Sequence, residues 1–129
     1  MAKKKRITPA SAKAKGRRLQ KQIAAYISEM LDIPLEKDGD IESRPMGQSG
    51  PDVILRGDAK KLFIFTGLEC KNQESLSIWK AMEQAKEHGG KPIVFFKRNR
   101  SDTYVTMRVE DFFDLYEMAL KEIKKCQKK

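Results

Sequence analysis

Cysteine, histidine and tryptophan are scarce in this chain of 129 residues, which has two, one and one of them respectively. The two cysteines, Cys70 and Cys126, form neither a disulfide framework nor a Cys-x-x-Cys zinc pattern. With a single histidine to add to them, a structural zinc site is not expected. Unpaired cysteines are typical of a reducing compartment, so we predict a cytoplasmic setting.

Long apolar stretches are missing as well. None approaches the roughly 20 residues that a membrane-spanning helix needs, and no apolar stretch follows the basic N-terminus as it would in a secretory signal. Hydrophobic residues make up 40% of the chain and charged residues 35%, a balance that favours a globular domain over a membrane protein. The length predicts one domain.

Positive charge is concentrated at the two ends. The net charge is +9, and residues 1–18 carry eight basic residues and no acid. Residues 121–129 carry five lysines and one glutamate, so the +12 of the two ends leaves −3 for residues 19–120. Basic ends attract nucleic-acid phosphates whatever the base sequence, although a solvated tail is the alternative. An acidic middle offers the oxygen ligands that a hard cation prefers.

Apolar periodicity and chain breakers predict an α/β single domain without internal repeats. Residues 1–14 are expected to form a disordered basic arm, residues 15–125 the domain, and residues 126–129 a basic tail. We expect a mixed central β-sheet flanked by helices. The predicted helices are Gly16–Leu31, Ser77–His88 and Val109–Lys125; the predicted strands are Ile41–Arg44, Asp52–Arg56, Lys61–Lys71, Lys91–Lys97 and Thr103–Arg108, with a hairpin turn at Gly57-Asp58.

An acid and a lysine are separated by one residue at three places. The triplets are Asp58-Ala59-Lys60, Glu69-Cys70-Lys71 and Glu122-Ile123-Lys124. In a chain this rich in charge such triplets arise by chance, so their placement must separate them. Only Glu69 and Lys71 end an apolar strand, where side chains two residues apart point to the same face. Burying this pair costs free energy unless partners compensate, which indicates a function.

Asp52 opens the preceding predicted strand. If the two strands pair about Gly57-Asp58, a twist, a bulge or an offset is needed to bring Asp52 beside Glu69, and the sequence leaves that register open. The two carboxylates and the backbone carbonyl of Cys70 would suit Mg²⁺, while Lys71 would orient water and neutralise charge on a phosphate. A surface Asp52 with a Glu69–Lys71 rim pair is the alternative that residue chemistry leaves open.

Several short segments occur in an order that can be compared with known families. They are Lys15-Gly16, Ser43-Arg44-Pro45, Gly47–Val53, Glu69–Gln73 and Gln84-Ala85. This order, over about residues 15 to 97, resembles the PD-(D/E)xK nucleases of the restriction-endonuclease-like fold, and among them the archaeal and phage Holliday-junction resolvases. Such resolvases often carry a glutamate on the first helix, four residues after the glycine, where this chain has Gln20.

The resemblance implies an endodeoxyribonuclease that depends on Mg²⁺, with Mn²⁺ able to substitute. It would resolve branched DNA such as four-way junctions, as a homodimer that makes paired cuts. By position, Asp52, Glu69, Lys71 and Gln84 would be catalytic. The metal would be held by Asp52, Glu69 and the backbone carbonyl of Cys70. The implied fold has a mixed central sheet flanked by helices, and no membrane partner is expected.

Polar and basic residues near these segments are the candidate DNA contacts. They are Lys15, Arg17, Arg18, Ser43, Arg44, Asn72, Gln73, Lys97, Arg98 and Arg100. For each of them a solvated surface position is the alternative. We expect Trp79 in the core or at a dimer interface, His88 as a helix C-terminal residue without a catalytic role, and Cys70 as a packed small side chain.

Three other functions compete with junction resolution. A nicking or restriction-type nuclease would use the same site. A non-catalytic nucleic-acid-binding protein would use the basic ends and would tolerate the loss of Asp52 or Glu69. A ribosome-associated RNA-binding protein fits the charge, but it does not explain the ordering from Gly47 to Lys71, and its stacking aromatics should be exposed rather than set in apolar runs.

Overall fold

Helices and strands alternate along residues 8–45 and 47–128, the part of the chain that a computed structural model describes. The elements are α1 (Pro9–Leu31), β1 (Ile41–Ser43), β2 (Val53–Leu55), α2 (Gly57–Leu62), β3 (Gly67–Asn72), α3 (Ile78–Glu87), β4 (Pro92–Lys97), β5 (Tyr104–Met107) and α4 (Val109–Gln127). The predicted α/β class is confirmed. Among these residues, no helix combines the length and the apolar character needed to cross a bilayer.

A threonine and a proline set the start of α1. The Thr8 hydroxyl accepts a hydrogen bond from the Ser11 N–H at 3.1 Å, and Pro9 stands in the first turn, where its missing N–H is not needed. The predicted start at Gly16 is therefore wrong, and the second half of the expected disordered arm is helical. Residues 1–7 of that arm lie outside the described residues.

The strands form two sheets instead of one central sheet. β1 and β2 pair antiparallel, with Ile41 opposite Leu55. In the second sheet, ordered β3-β4-β5, β3 and β4 are parallel and β4 and β5 antiparallel. Leu68 of β3 packs in the core that α1 covers, whereas Val94 of β4 packs against α3. Helices thus flank the mixed sheet on both faces, as predicted.

The hairpin predicted about Gly57-Asp58 is wrong, because this segment opens α2. An acid in its first turn and Lys60-Lys61 in its last turn complement the helix dipole, and Ala59 is buried in the core. The strand predicted for Lys61–Lys71 consequently begins only at Gly67. With that partner gone, β2 pairs with β1 instead.

α4 is attached to the domain through its first turns. The carboxylate of Asp111, which is 1% exposed, accepts hydrogen bonds from Arg108 Nε at 3.0 Å and from Lys91 Nζ at 3.1 Å. Burial opposes its ionisation, but these cations outweigh burial and lower the pKa of Asp111. Leu115 packs against the core on the same side. The helix continues to Gln127, into the predicted tail.

Replacing Asp111 with alanine should lower the free energy of unfolding by about 2 kcal/mol, because two charged donors lose a buried acceptor. Since the pKa of Asp111 is lowered in the folded state, its contribution is present above the unfolded pKa of about 4 and is lost as the pH falls through the folded value. Urea unfolding should therefore show a large difference from wild type near neutral pH and a small one near about pH 2. Asp114→Ala, an exposed acid of the same helix, is the control; equal losses for both would contradict the anchoring role.

Candidate active site

β3 sends alternate side chains to opposite sides of its sheet. Leu68 and Cys70 are buried in the core on the α1 side, which confirms Cys70 as a packed small side chain. Glu69 and Lys71 face α3, and Lys71 Nζ lies 3.7 Å from Glu69 Oε2. Glu69 is only 2% exposed, so the pair is not a surface rim pair. The arrangement on one face is the one that the sequence predicts.

α3 supplies a polar partner to each of these two side chains. Lys71 Nζ donates a hydrogen bond to Gln84 Oε1 at 2.8 Å, and the ring Nε2 of His88 contacts Glu69 Oε1. Four residues along a helix rise about 6 Å, which nearly equals the rise of two residues along a strand. Because α3 crosses between two parallel strands, it runs opposite to β3, and its later residue meets the earlier residue of the strand.

Gly67 lets α3 sit close to β3. A Cβ atom at this position would collide with the backbone carbonyl of Ala85. The side chains that α3 turns toward the sheet, Ala81 and Ala85, are small and buried. The helix therefore approaches closely enough for Gln84 and His88 to reach the side chains of the strand.

Asp52 joins β3 through two hydrogen bonds. Its N–H donates to the Leu68 carbonyl at 2.9 Å, and its Oδ2 accepts from the Cys70 N–H at 2.7 Å. These bonds provide the offset that the sequence leaves open and bring the carboxylate beside Glu69. Burial, with repulsion from Glu69, raises the pKa of Asp52 to about 6, although the Cys70 N–H and the charge of Lys71 oppose the shift.

Gln20 of α1 holds the loop that leads to Asp52. Its Nε2 donates to the Ser43 hydroxyl and to the Arg44 carbonyl, each at 2.8 Å. Arg44 in turn donates its Nε to the Pro51 carbonyl at 2.6 Å and its N–H to the Asp52 carbonyl at 2.8 Å. An ionised glutamate at position 20 would have no hydrogen to offer these oxygens, so the amide suits this loop.

These groups meet at one cavity of about 390 Å³. Its lining includes Lys13, Gly16, Arg17, Gln20, Arg44, Asp52, Glu69, Cys70, Lys71, Asn72, Gln73 and Gln84. Glu69 is buried in its wall, whereas the basic residues contributed by α1 are exposed. The cavity thus has acidic side chains in its interior and basic side chains at its solvent-exposed edge.

Four predicted DNA contacts line this cavity: Arg17, Arg44, Asn72 and Gln73. Lys15 lies near its edge, where its Nζ donates to Asn99 Oδ1 at 2.6 Å and its carbonyl accepts from Asn72. Lys13 also lines the cavity. Sequence reasoning missed Lys13 because the expected helix start left it in a disordered arm.

The remaining predicted contacts lie farther from the acids. Lys97 and Arg98 line a neighbouring cavity that shares Gln73 with the first one. Arg18 and Arg100 are exposed and line neither cavity. Their assignment as DNA contacts stays a prediction. Ser43 is already engaged as an acceptor by the side chain that holds its loop.

His88 belongs to the site, although the sequence predicts only a helix-terminal position for it. It is the C-cap of α3, as predicted, but its half-buried side chain reaches Glu69. The signal that could have revealed it is its spacing of four residues from Gln84, on the helix that follows the Glu-x-Lys strand. Trp79, in contrast, is 85% exposed, so the core position predicted for it is wrong, while the alternative of a dimer interface stays a prediction.

The donor set suits a hard divalent cation. Asp52 and Glu69 bring carboxylate oxygens together. The Cys70 carbonyl lies on the Asp52 side of β3, because the N–H and C=O of one strand residue point the same way. Over residues 8–45 and 47–128, no three His, Cys, Asp or Glu side chains form a metal-binding group. Two carboxylates and a carbonyl, completed by water, are ligands that Mg²⁺ accepts.

No protein-family model, curated protein or solved structure matches this chain. The resemblance to PD-(D/E)xK nucleases therefore rests on the order of the motifs in the sequence. What the fold adds is independent of that resemblance: the acids, the lysine and the glutamine that the motifs single out line one cavity.

Replacing Asp52 with asparagine should stabilise the protein at neutral pH. The folded-state pKa of Asp52, about 6, is above its ordinary value, so ionisation of this group disfavours folding as the pH rises through about 6. Asparagine keeps an acceptor for the Cys70 N–H without the charge. The free energy of unfolding should rise by about 1–3 kcal/mol near pH 8 and little below about pH 4.

Thermal and urea unfolding across this pH range measure the effect. Asp58→Asn, at an exposed acid of α2, is the control and should change stability little at any pH. An Asp52→Asn protein that is less stable than wild type at about pH 8 would show that burial and the charge of Glu69 do not disfavour the ionised form of Asp52.

Proposed function

We propose that this protein is a Mg²⁺-dependent endodeoxyribonuclease that hydrolyses phosphodiester bonds in branched DNA. The observation that carries the proposal is the meeting of Asp52, Glu69 and Lys71 in one cavity whose approach is basic. Asp52 is half-buried and Glu69 is buried beside it, and withdrawing two neighbouring carboxylates from water lowers the stability of the fold. A purely structural role does not account for this arrangement. Charged groups arranged at such a cost are typical of functional sites.

The carboxylates of Asp52 and Glu69 and the Cys70 carbonyl would hold the metal. When bound, Mg²⁺ would polarise the scissile phosphate and make a bound water more acidic. The acids themselves provide the negative charge that draws the cation in. His88 holds one oxygen of Glu69, which leaves the other oxygen of that carboxylate on the side of Lys71.

Lys71 is placed to act on the phosphate. Its ammonium is held by Gln84 at 2.8 Å and is partly exposed to the cavity. A fixed positive charge beside the acids would orient the attacking water and stabilise the charge that develops on the phosphate oxygens. Gln84 contacts the lysine rather than the reacting atoms, so we assign it a positioning role.

The surroundings support DNA as the substrate. Lys13 and Arg17 lie one turn apart on α1 and line the cavity together with Arg44. Basic residues also dominate both ends of the chain, which would add attraction that does not depend on sequence. Such contacts position a phosphate backbone without reading bases, as an enzyme selecting DNA by shape requires.

The finer assignment draws on the resemblance. A restriction-endonuclease-like fold would explain an Asp that abuts a Glu-x-Lys strand, and a resolvase-like enzyme would act as a homodimer on a nearly two-fold four-way junction. A nicking or restriction-type nuclease would share the site. A non-catalytic nucleic-acid-binding protein would need the basic residues but would gain nothing from the buried acids.

The test is cleavage of labelled four-way-junction, nicked and linear duplex DNA with and without Mg²⁺ or Mn²⁺. Glu69→Gln and Lys71→Met should each lower the cleavage rate roughly 100-fold or more, because each removes charge from the reacting site. Chelation by EDTA should abolish cutting. Paired cuts confined to the junction are expected.

Matched controls are available in the same chain. Asp58→Asn and Lys60→Met change the same acid-x-lysine spacing at exposed positions of α2, outside the cavity, and should leave cleavage unchanged. Equal cutting of all three DNAs would keep the nuclease and refute junction selectivity. Binding without cutting under either metal would refute the nuclease in favour of the non-catalytic protein.

The basic face of α1 gives a second measurable consequence. Lys13→Ala combined with Arg17→Ala should lower DNA affinity, and the slope of log K against log salt concentration should become shallower by about 2. Fluorescence anisotropy at several salt concentrations measures this slope. Lys37→Ala with Lys61→Ala removes the same charge away from the cavity, and an equal change in slope there would show that only net charge matters.

A further inference from the structure

An apolar groove lies between α1 and β5, apart from the acidic site. Its volume is about 770 Å³. The apolar side chains that line it include Ile23, Tyr26, Met30, Phe63, Phe95 and Val105. Several of them are well exposed, with Tyr26 at 74%. Phe95 and Val105, which pair across β4 and β5, form the sheet side of the groove, and Val105 is 47% exposed.

α4 carries an apolar stripe that is also uncovered. Its members recur at helical spacing along most of the helix: Val109, Phe112, Phe113, Tyr116, Leu120 and Ile123. Phe113 is 61% exposed, and most of the others are similarly open. At 100° per residue, the stripe is centred about a third of a turn away from Asp111 and Leu115, the residues that attach α4 to its own domain. The stripe therefore faces away from the chain that carries it.

Opposite charges lie at one end of each surface. Glu29 lines the groove, and α1 has no basic residue in its last turn, so the negative end of its dipole is not neutralised. The end of α4 carries exposed lysines: Lys121, Lys124, Lys125 and Lys128. With its C-terminal end beside Glu29, α4 would bring these lysines to that end of α1.

We propose that two copies of this chain form a dimer in which each copy's α4 lies in the other's groove. Two-fold symmetry makes the contact reciprocal, so each copy buries both its stripe and its groove. A stable interface buries about 800 Å² on each partner, and using both surfaces at once favours reaching that area. This interface specifies how the homodimer of the proposed function would form. Its test does not depend on nuclease activity.

Sedimentation velocity of the full-length protein from about 1 to about 100 µM tests the dimer. Wild type should sediment with twice the 14.8 kDa mass of the chain. Tyr26→Glu in the groove and Phe113→Glu in the stripe should each weaken dimerisation at least about 30-fold. Both side chains are exposed in the single chain, so circular dichroism and unfolding should stay close to wild type.

Mixing the two variants separates this dimer from other arrangements. A Tyr26→Glu chain keeps its stripe and a Phe113→Glu chain keeps its groove, so the mixture should form heterodimers through one intact contact. The control Trp79→Glu, which changes an exposed aromatic elsewhere, should remain dimeric. A monomeric wild type, a dimer that survives either glutamate substitution, dissociation by Trp79→Glu, or failure of the mixture to pair would overturn the proposal.

Discussion

The burial of Glu69 against α3, next to a second acid, is the interaction around which this fold is arranged. A carboxylate that is almost fully withdrawn from water is tolerable only with partners, and the structure supplies His88 on one oxygen and Lys71 near the other. Asp52 places a second carboxyl group beside Glu69, and burial together with repulsion from Glu69 raises the pKa of Asp52. The fold thus keeps two carboxyl groups close together, an arrangement that a bound cation would stabilise.

The parts of this arrangement differ in how far apart they are in the chain. Glu69, Lys71, Gln84 and His88 all belong to one crossover, from β3 through α3 to β4. Their relative positions follow from two features. Four helical residues and two strand residues have similar rises, and α3 approaches β3 closely at Gly67. Asp52 comes from outside this unit and reaches it through hydrogen bonds of its own backbone and side chain.

How much the sequence reveals follows the same division. Strand periodicity places Glu69 and Lys71 on one face, because a period of two is a local property. The register of Asp52 is not local: it depends on α2 replacing a turn and on β2 pairing with β1, and so on contacts between separate segments. The start of α1 differs from the predicted one because a capping threonine and a proline outweigh a polar, lysine-rich composition. The contact of His88 with Glu69 is not predicted, because its position at a helix end has a sufficient local explanation.

One consequence concerns the face of α1 that carries Lys13, Arg17 and Gln20. The first two residues would hold a phosphate backbone, while the third holds the loop that ends at Asp52. One helix would therefore both bind the DNA backbone and hold the loop that positions Asp52. Unfolding of the first turns of this helix would weaken DNA binding and displace the loop that positions Asp52. Substitutions that destabilise the start of α1 should therefore lower DNA affinity and the cleavage rate together.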